Sequence, residues 1–133
     1  MAMTNLPKPT ESELEVLKVL WRRGPSTVRE EHRELSQSKE TGYTTVLKFM
    51  QIMADKGLVV RDEAERAHVY AARVPQSETQ QQLVGDLLRR VFEGSASQLV
   101  MQALSGKQAS VEEISAIRQM LDEMTTSVQS RFS

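Results

Sequence analysis

The sequence predicts a mainly α fold with one small β hairpin, organised as a first domain over residues 1–75 and a helical domain over residues 76–133. Three observations predict it. Apolar residues recur at helical spacing in five separate segments, and a capping pattern marks a sixth helix. Three Ser/Thr-x-x-Glu boxes (Thr10/Glu13, Thr27/Glu30 and Ser110/Glu113) mark helix starts, because each partner satisfies a backbone N–H that a helix start leaves unpaired. Between the third and fourth helical segments lie two short β-prone runs around a polar turn.

The first helix runs from Glu11 to Arg23, with Leu14, Leu17, Val19, Leu20 and Trp21 on its apolar face, and Gly24-Pro25 stops it. Ser26 or Thr27 caps a second helix that reaches Leu35 or Gln37. The polar stretch from Ser38 to Gly42 leads into a third helix, Tyr43 to Lys56, whose core face is Val46, Phe49, Met50 and Met53 and which Gly57 closes. A strand from Leu58 to Asp62, a turn from Glu63 to Arg66, and a strand through His68, Val69 and Tyr70 follow, with Val69 alternating against its neighbours. Three helices and then a hairpin is the order of a winged helix-turn-helix. Pro75 marks the boundary. Beyond it, Leu83, Val84, Leu87, Leu88, Val91 and Phe92 stripe a helix closed by Gly94. Ser95 caps a short helix with Leu99, Val100, Ala103 and Leu104, which Gly106 ends. In the last helix Ile114, Ile117, Leu121, Met124 and Val128 recur at heptad spacing, the seam of a helix that packs on a partner helix. Ile114, Ile117, Leu121 and Met124, with Leu87, Val91, Leu99 and Val100, are the candidate dimerisation residues of this three-helix arm.

Composition excludes several function classes. With no cysteine, the chain has no disulfide, no thiolate nucleophile and no cysteine metal site, which fits a cytoplasmic protein. No apolar run is long enough for a membrane span, and the first ten residues have no apolar leader. The net charge of −1 offers no global attraction to nucleic acid, so a DNA-binding reading rests on where the positive charges sit. Residues 1–75 carry 12 Lys and Arg against 11 Asp and Glu, a net of +1; residues 76–133 carry 5 against 7, a net of −2.

The start of the third helix brings together Tyr43, Thr44, Thr45 and Lys48, where helix-turn-helix proteins meet base edges. Threonine can contact a thymine methyl or a phosphate, and lysine can reach guanine or phosphate. Taken alone, the pattern is also that of an amphipathic helix with a solvated polar start. The hairpin adds Arg61, Arg66 and His68 on or near a tight turn, placed as a wing that touches the DNA backbone or minor groove. Thr27 and Arg29 begin the second helix, where exposed N–H groups favour a phosphate; Thr27 is also simply a cap. His32 and His68 are the only histidines, and neither sits in a metal or catalytic motif. No phosphate-binding or nucleophile motif is present, and Glu30-Glu31 and Glu112-Glu113 read as helix-start and solvated-face charges. The chain is therefore expected to be no enzyme and to need no cofactor or metal. The rival reading is a winged helix used as a protein-docking module, with Leu47 and Ile52 as its patch.

The run from Glu13 to Thr27 (ELEVLKVLWRRGPST), then Tyr43-Thr44-Thr45-Val46, Lys56-Gly57-Leu58-Val59, His68-Val69-Tyr70, and Phe92-Glu93-Gly94-Ser95 with Leu99-Val100, resembles the penicillinase-repressor family over nearly the whole chain. The resemblance implies a homodimeric repressor whose winged-helix heads bind an inverted-repeat, double-stranded DNA operator and whose C-terminal helices interlock. By analogy Thr44, Thr45 and Lys48 face bases, while Thr27, Arg29, Arg61 and Arg66 approach the backbone. Two positions depart from some relatives, which carry basic residues where this chain has Leu47 and Ile52. Copper-responsive relatives use C-terminal cysteine pairs, which this chain lacks. Relatives that control β-lactam resistance are inactivated by a protease that cuts the short helix after the Gly-Ser step. The matching segment here is Leu99 to Leu104, with Gln102-Ala103 where those relatives have Asn-Phe, so an inactivating protease is an implied further partner.

Overall fold

Glu11–Arg23 forms helix α1 because Thr10 and Glu13 close a reciprocal cap: the Thr10 hydroxyl accepts from the Glu13 N–H and the Glu13 carboxylate accepts from the Thr10 N–H. The computed structural model describes residues 6–106 and 109–132. Val16, Leu17, Val19 and Leu20 are buried on α1, while Leu14 and Trp21 are half-buried at the margin. The Trp21 indole N–H donates to the carbonyl of Val74 at 3.0 Å, tying the end of α1 to the segment that enters the fourth helix.

A two-residue strand, β1 (Ser26–Thr27), precedes α2 (Val28–Leu35). Helix α3 (Tyr43–Lys56) ends on Gly57, whose φ of 85° is the left-handed conformation a side chain resists. Strands β2 (Val59–Asp62) and β3 (Val69–Ala72) complete a three-stranded antiparallel sheet of order β1-β3-β2. Its register pairs Ser26 with Tyr70 on one side of β3 and Arg61 with Tyr70 on the other. The core lies between the three helices and the sheet: Val16, Leu17, Leu20, Val28, Val46, Met50, Met53, Leu58, Val59 and Tyr70. This is a winged helix-turn-helix, with α2 and α3 as the helix pair and β2-β3 as the wing.

The structure departs from the sequence expectation in several places. The hairpin strands begin one residue later than expected, at Val59 and Val69, and β3 runs on to Ala72. Along β3 the buried side chain is Tyr70, with Val69 only half-buried. Phe49 packs at the edge of the core rather than inside it. The largest correction concerns Glu31. It is not on a solvated face: it is fully buried, and neither carboxylate oxygen has a hydrogen-bond partner among the described residues. Burial pushes its pKa up to about 8, although Arg22 and Arg23 pull it down. Glu13 is also buried, but there the Lys56 ammonium sits 2.7 Å from Oε1. Burial raises the Glu13 pKa, yet Lys56 and the Thr10 cap together hold it below the usual value.

Helix α4 (Gln76–Val91) follows. The chain divides into two compact units, the first ending at Asp86 and the second beginning at Leu87, so this division falls inside α4. The reason is local. Gln82 donates to the Leu6 carbonyl at 2.8 Å, and Lys8 pairs with Asp86, so the N-terminal segment holds the first turns of α4 to the head.

The second unit contains the end of α4, then α5 (Ala96–Ser105) and α6 (Val111–Phe132). The Ser95 hydroxyl caps α5 by accepting from Gln98 N–H, and Ser110 does the same for α6 through Glu113 N–H. None of its described side chains is buried. Leu121, Met124 and Val128 are each more than half exposed, and Ile114 and Ile117 are half-buried. No helix among the described residues is long and apolar enough to cross a membrane.

Candidate nucleic-acid interface

The N-cap of α2 positions the first contributor. The Thr27 hydroxyl accepts from Glu30 N–H at 3.2 Å, and the Glu30 carboxylate accepts from Thr27 N–H at 2.9 Å. That backbone bond, with Arg23 nearby, holds the Glu30 carboxyl below its ordinary range. Two of the groups a phosphate would seek at this helix start are thus already taken. A hydroxyl that accepts one hydrogen bond still carries a proton it can donate, and Arg29 stands exposed two residues on.

On α3 the buried face is Val46, Met50 and Met53. At about 100° per residue, Thr44, Lys48 and Gln51 fall on the opposite, exposed side. Tyr43 and Leu47 lie on the flank toward the wing, and Thr45 lies on the other flank, toward α1.

The wing supplies Arg61, Arg66 and His68, all exposed. The Tyr70 hydroxyl and the Glu63 carboxylate, the latter 2.8 Å from Arg61 Nε, hold the Arg61 guanidinium still more firmly protonated. Arg29, Lys48 and Arg66 form no ion pair among the described residues.

An open cleft of about 500 Å³ joins these elements. Six expected site residues line it: Thr27, Arg29, Tyr43, Arg61, Arg66 and His68. Thr44 and Lys48 stand on the adjacent exposed face of α3. Thr45 instead lines a separate cleft with Ser12, Glu15 and Phe49. The sequence reading missed Gln51, which lies in the main cleft; its spacing of three from Lys48 and seven from Thr44 was the available signal. Leu47 also lines the cleft while packing on the core, and Ile52, five residues on, points about 140° away. The two do not form one apolar patch. Among the described residues no group of three acidic or histidine side chains is arranged for a metal ion.

A sequence model of the penicillinase repressor family matches residues 9–123. The chain belongs to the penicillinase repressor family. It is accordingly a DNA-binding transcriptional repressor with a winged-helix head. The chain is 27% identical over 121 residues to a penicillinase repressor of Bacillus licheniformis, covering 91% of this chain and 94% of that one. It is 32% identical over 123 residues to the transcriptional regulator BlaI of Mycobacterium tuberculosis, covering 92% and 88% respectively. The head is similar to the solution structure of the DNA-binding domain of the repressor BlaI, with a TM-score of 0.50 and 26% identity, over 55% of this chain and 89% of that one. A complex structure of RosR has a TM-score of 0.52 at 18% identity, over 96% and 99%, which is a likeness of fold alone.

Proposed function

We propose that this penicillinase-repressor family member acts in the cytoplasm as a homodimer on an inverted-repeat duplex operator, reading it with the head (residues 1–75) and pairing through the arm (residues 76–133). The observation that carries the DNA reading is the convergence of Arg29, Arg61, Arg66, Tyr43 and His68 on one cleft beside the exposed Thr44 and Lys48. Base contacts fall to Thr44, Lys48 and Tyr43, and phosphate contacts to Thr27, Arg29, Arg61 and Arg66. Thr45 takes a base-facing role only if the helix rolls toward α1.

Support for the dimer is the arm itself. From Leu87 onward no described side chain is buried, so that unit has no core of its own, and Leu87, Val91, Leu99, Val100 and the α6 seam supply the apolar area that a second copy would cover. Two linked heads gain affinity through effective concentration, on the order of 10²–10⁴-fold. Cleavage by a protease between Leu99 and Leu104, or another trigger that splits the dimer, would forfeit that gain and lift repression.

The test is a salt titration on a duplex retrieved from a randomised pool by the wild-type chain. Affinity should fall steeply as salt rises, and Arg66→Ala should lower the slope of log K against log salt by about one. Binding indifferent to salt would favour the protein-docking rival and overturn the phosphate assignments.

A further inference from the structure

His32 lies on α2, and it does not line the cleft, yet it meets the start of α3 at two points. Its Nε2 is 2.7 Å from the carbonyl oxygen of Thr41. A carbonyl oxygen only accepts, so Nε2 carries the proton. The imidazole also meets the Tyr43 ring edge-on, with centroids 5.8 Å apart and planes at 76°. In that arrangement the positive edge of one ring faces the negative face of the other. Thr41 stands one residue before the N-cap Gly42, and Tyr43 is the first residue of α3. Gly42 supplies no side-chain cap, so α2 grips this helix start in place of a cap. The grip is rigid at its other end, because the Thr27–Glu30 box fixes the first turn of α2 and Val28 anchors it in the core. Tyr43 itself is 46% exposed and lines the cleft with the wing arginines.

We propose that His32 is a positioning residue for DNA reading: it touches no nucleotide, but fixes the Tyr43 ring and the first turn of α3 in the pose that meets the bases. The inference rests on the DNA-binding reading above. At the first position of a helix, Tyr43 has no residue of its own helix one turn earlier to pack against. Without His32 the ring samples several rotamers and must be ordered on binding, at a cost in affinity. The cost falls on the matched sequence. Binding to unmatched DNA is phosphate electrostatics, which the pose of one ring does not alter.

The test compares the duplex retrieved by the wild-type chain with a scrambled duplex, by fluorescence anisotropy. His32→Leu should weaken binding to the retrieved duplex by about tenfold, while the scrambled duplex changes by less than about twofold and the salt slope stays as in wild type. His32→Gln keeps an N–H donor for Thr41 and removes only the ring, so it should lose less; it carries the test if circular dichroism finds His32→Leu unfolded. In a Tyr43→Leu background, His32→Gln should cost under about twofold, because the ring it positions is gone. Equal losses on both duplexes, additive losses in the double variant, or wild-type affinity in both His32 variants would overturn the positioning role alone. A wild-type chain that retrieves no duplex would overturn the DNA-binding reading, and this inference with it.

Discussion

Replacing Glu31 with methionine should stabilise the head, and more strongly as pH rises. The carboxyl is fully buried with both oxygens unpartnered, and burial moves its pKa from 4.5 to about 8. Between those values the folded chain holds a proton that the unfolded chain has released. Stability from this group is therefore fully present below pH 4.5, falls as pH rises at up to about 1.4 kcal/mol per pH unit, and levels off above pH 8. The deficit reaches about 3 kcal/mol at pH 7. Between pH 5 and pH 8 the advantage of Glu31→Met should grow by about 3–4 kcal/mol. Glu13 and Glu30 act in the opposite sense, since their pKa values are lowered; their contribution is lost only as pH falls below 4.5, outside this window. The assay is urea unfolding at fixed protein concentration from pH 5 to 9, with Glu31→Gln as the uncharged control. If wild-type stability is flat or rises from pH 5 to 8 relative to Glu31→Gln, the folded carboxyl is ionised. Arg22 and Arg23 would then outweigh desolvation, and the reasoning fails.

Three further outcomes follow from the geometry. Thr27→Ala removes the α2 cap and should cost about 1 kcal/mol of unfolding free energy, read as a lower urea midpoint; an unchanged midpoint would mean that water replaces the hydroxyl without loss. Gly57→Ala puts a Cβ at φ 85°, 3.0 Å from Arg73 Nη1. It should cost about 1 kcal/mol or more, and a thermal melt matching wild type would contradict the strain. Leu121→Asp places a charge in the α6 seam, so the variant should sediment as a monomer where wild type is a dimer; wild-type sedimentation as a monomer at micromolar concentration would sink the dimer model.

Local chemistry made much of this fold legible. The bounds of α1 and α3 follow from residues that act within one turn: the Thr10–Glu13 box at one start, and glycines at both ends. The strand β1 was invisible because two residues carry no period, and Ser26–Thr27 becomes a strand only by pairing with Tyr70 and Val69, more than 40 residues away. Glu31 was misread for a related reason. It follows Glu30 in sequence, but a helix turns about 100° per residue. Glu30 reaches back to the cap, while Glu31 faces inward with Val28, three residues earlier, and Leu35, four later. In the cleft, residue types were readable one by one. Their convergence was not, because it depends on how the sheet brings the wing beside α2 and α3.

The bond from Trp21 to Val74 also gives the protein a built-in optical label. Trp21 is the only tryptophan, and both tyrosines, Tyr43 and Tyr70, lie in the head. Residues from Leu87 onward hold phenylalanine alone, at 92 and 132, so excitation at tryptophan wavelengths leaves the arm dark. Emission therefore reports the end of α1 where it meets the Val74 carbonyl, whereas far-ultraviolet dichroism is dominated by the helices of both units. Following both signals in one titration separates melting of the head from fraying of α5 and α6. If dilution shifts the dichroism curve and leaves the emission curve in place, the arm's helicity depends on a second chain while the head folds by itself.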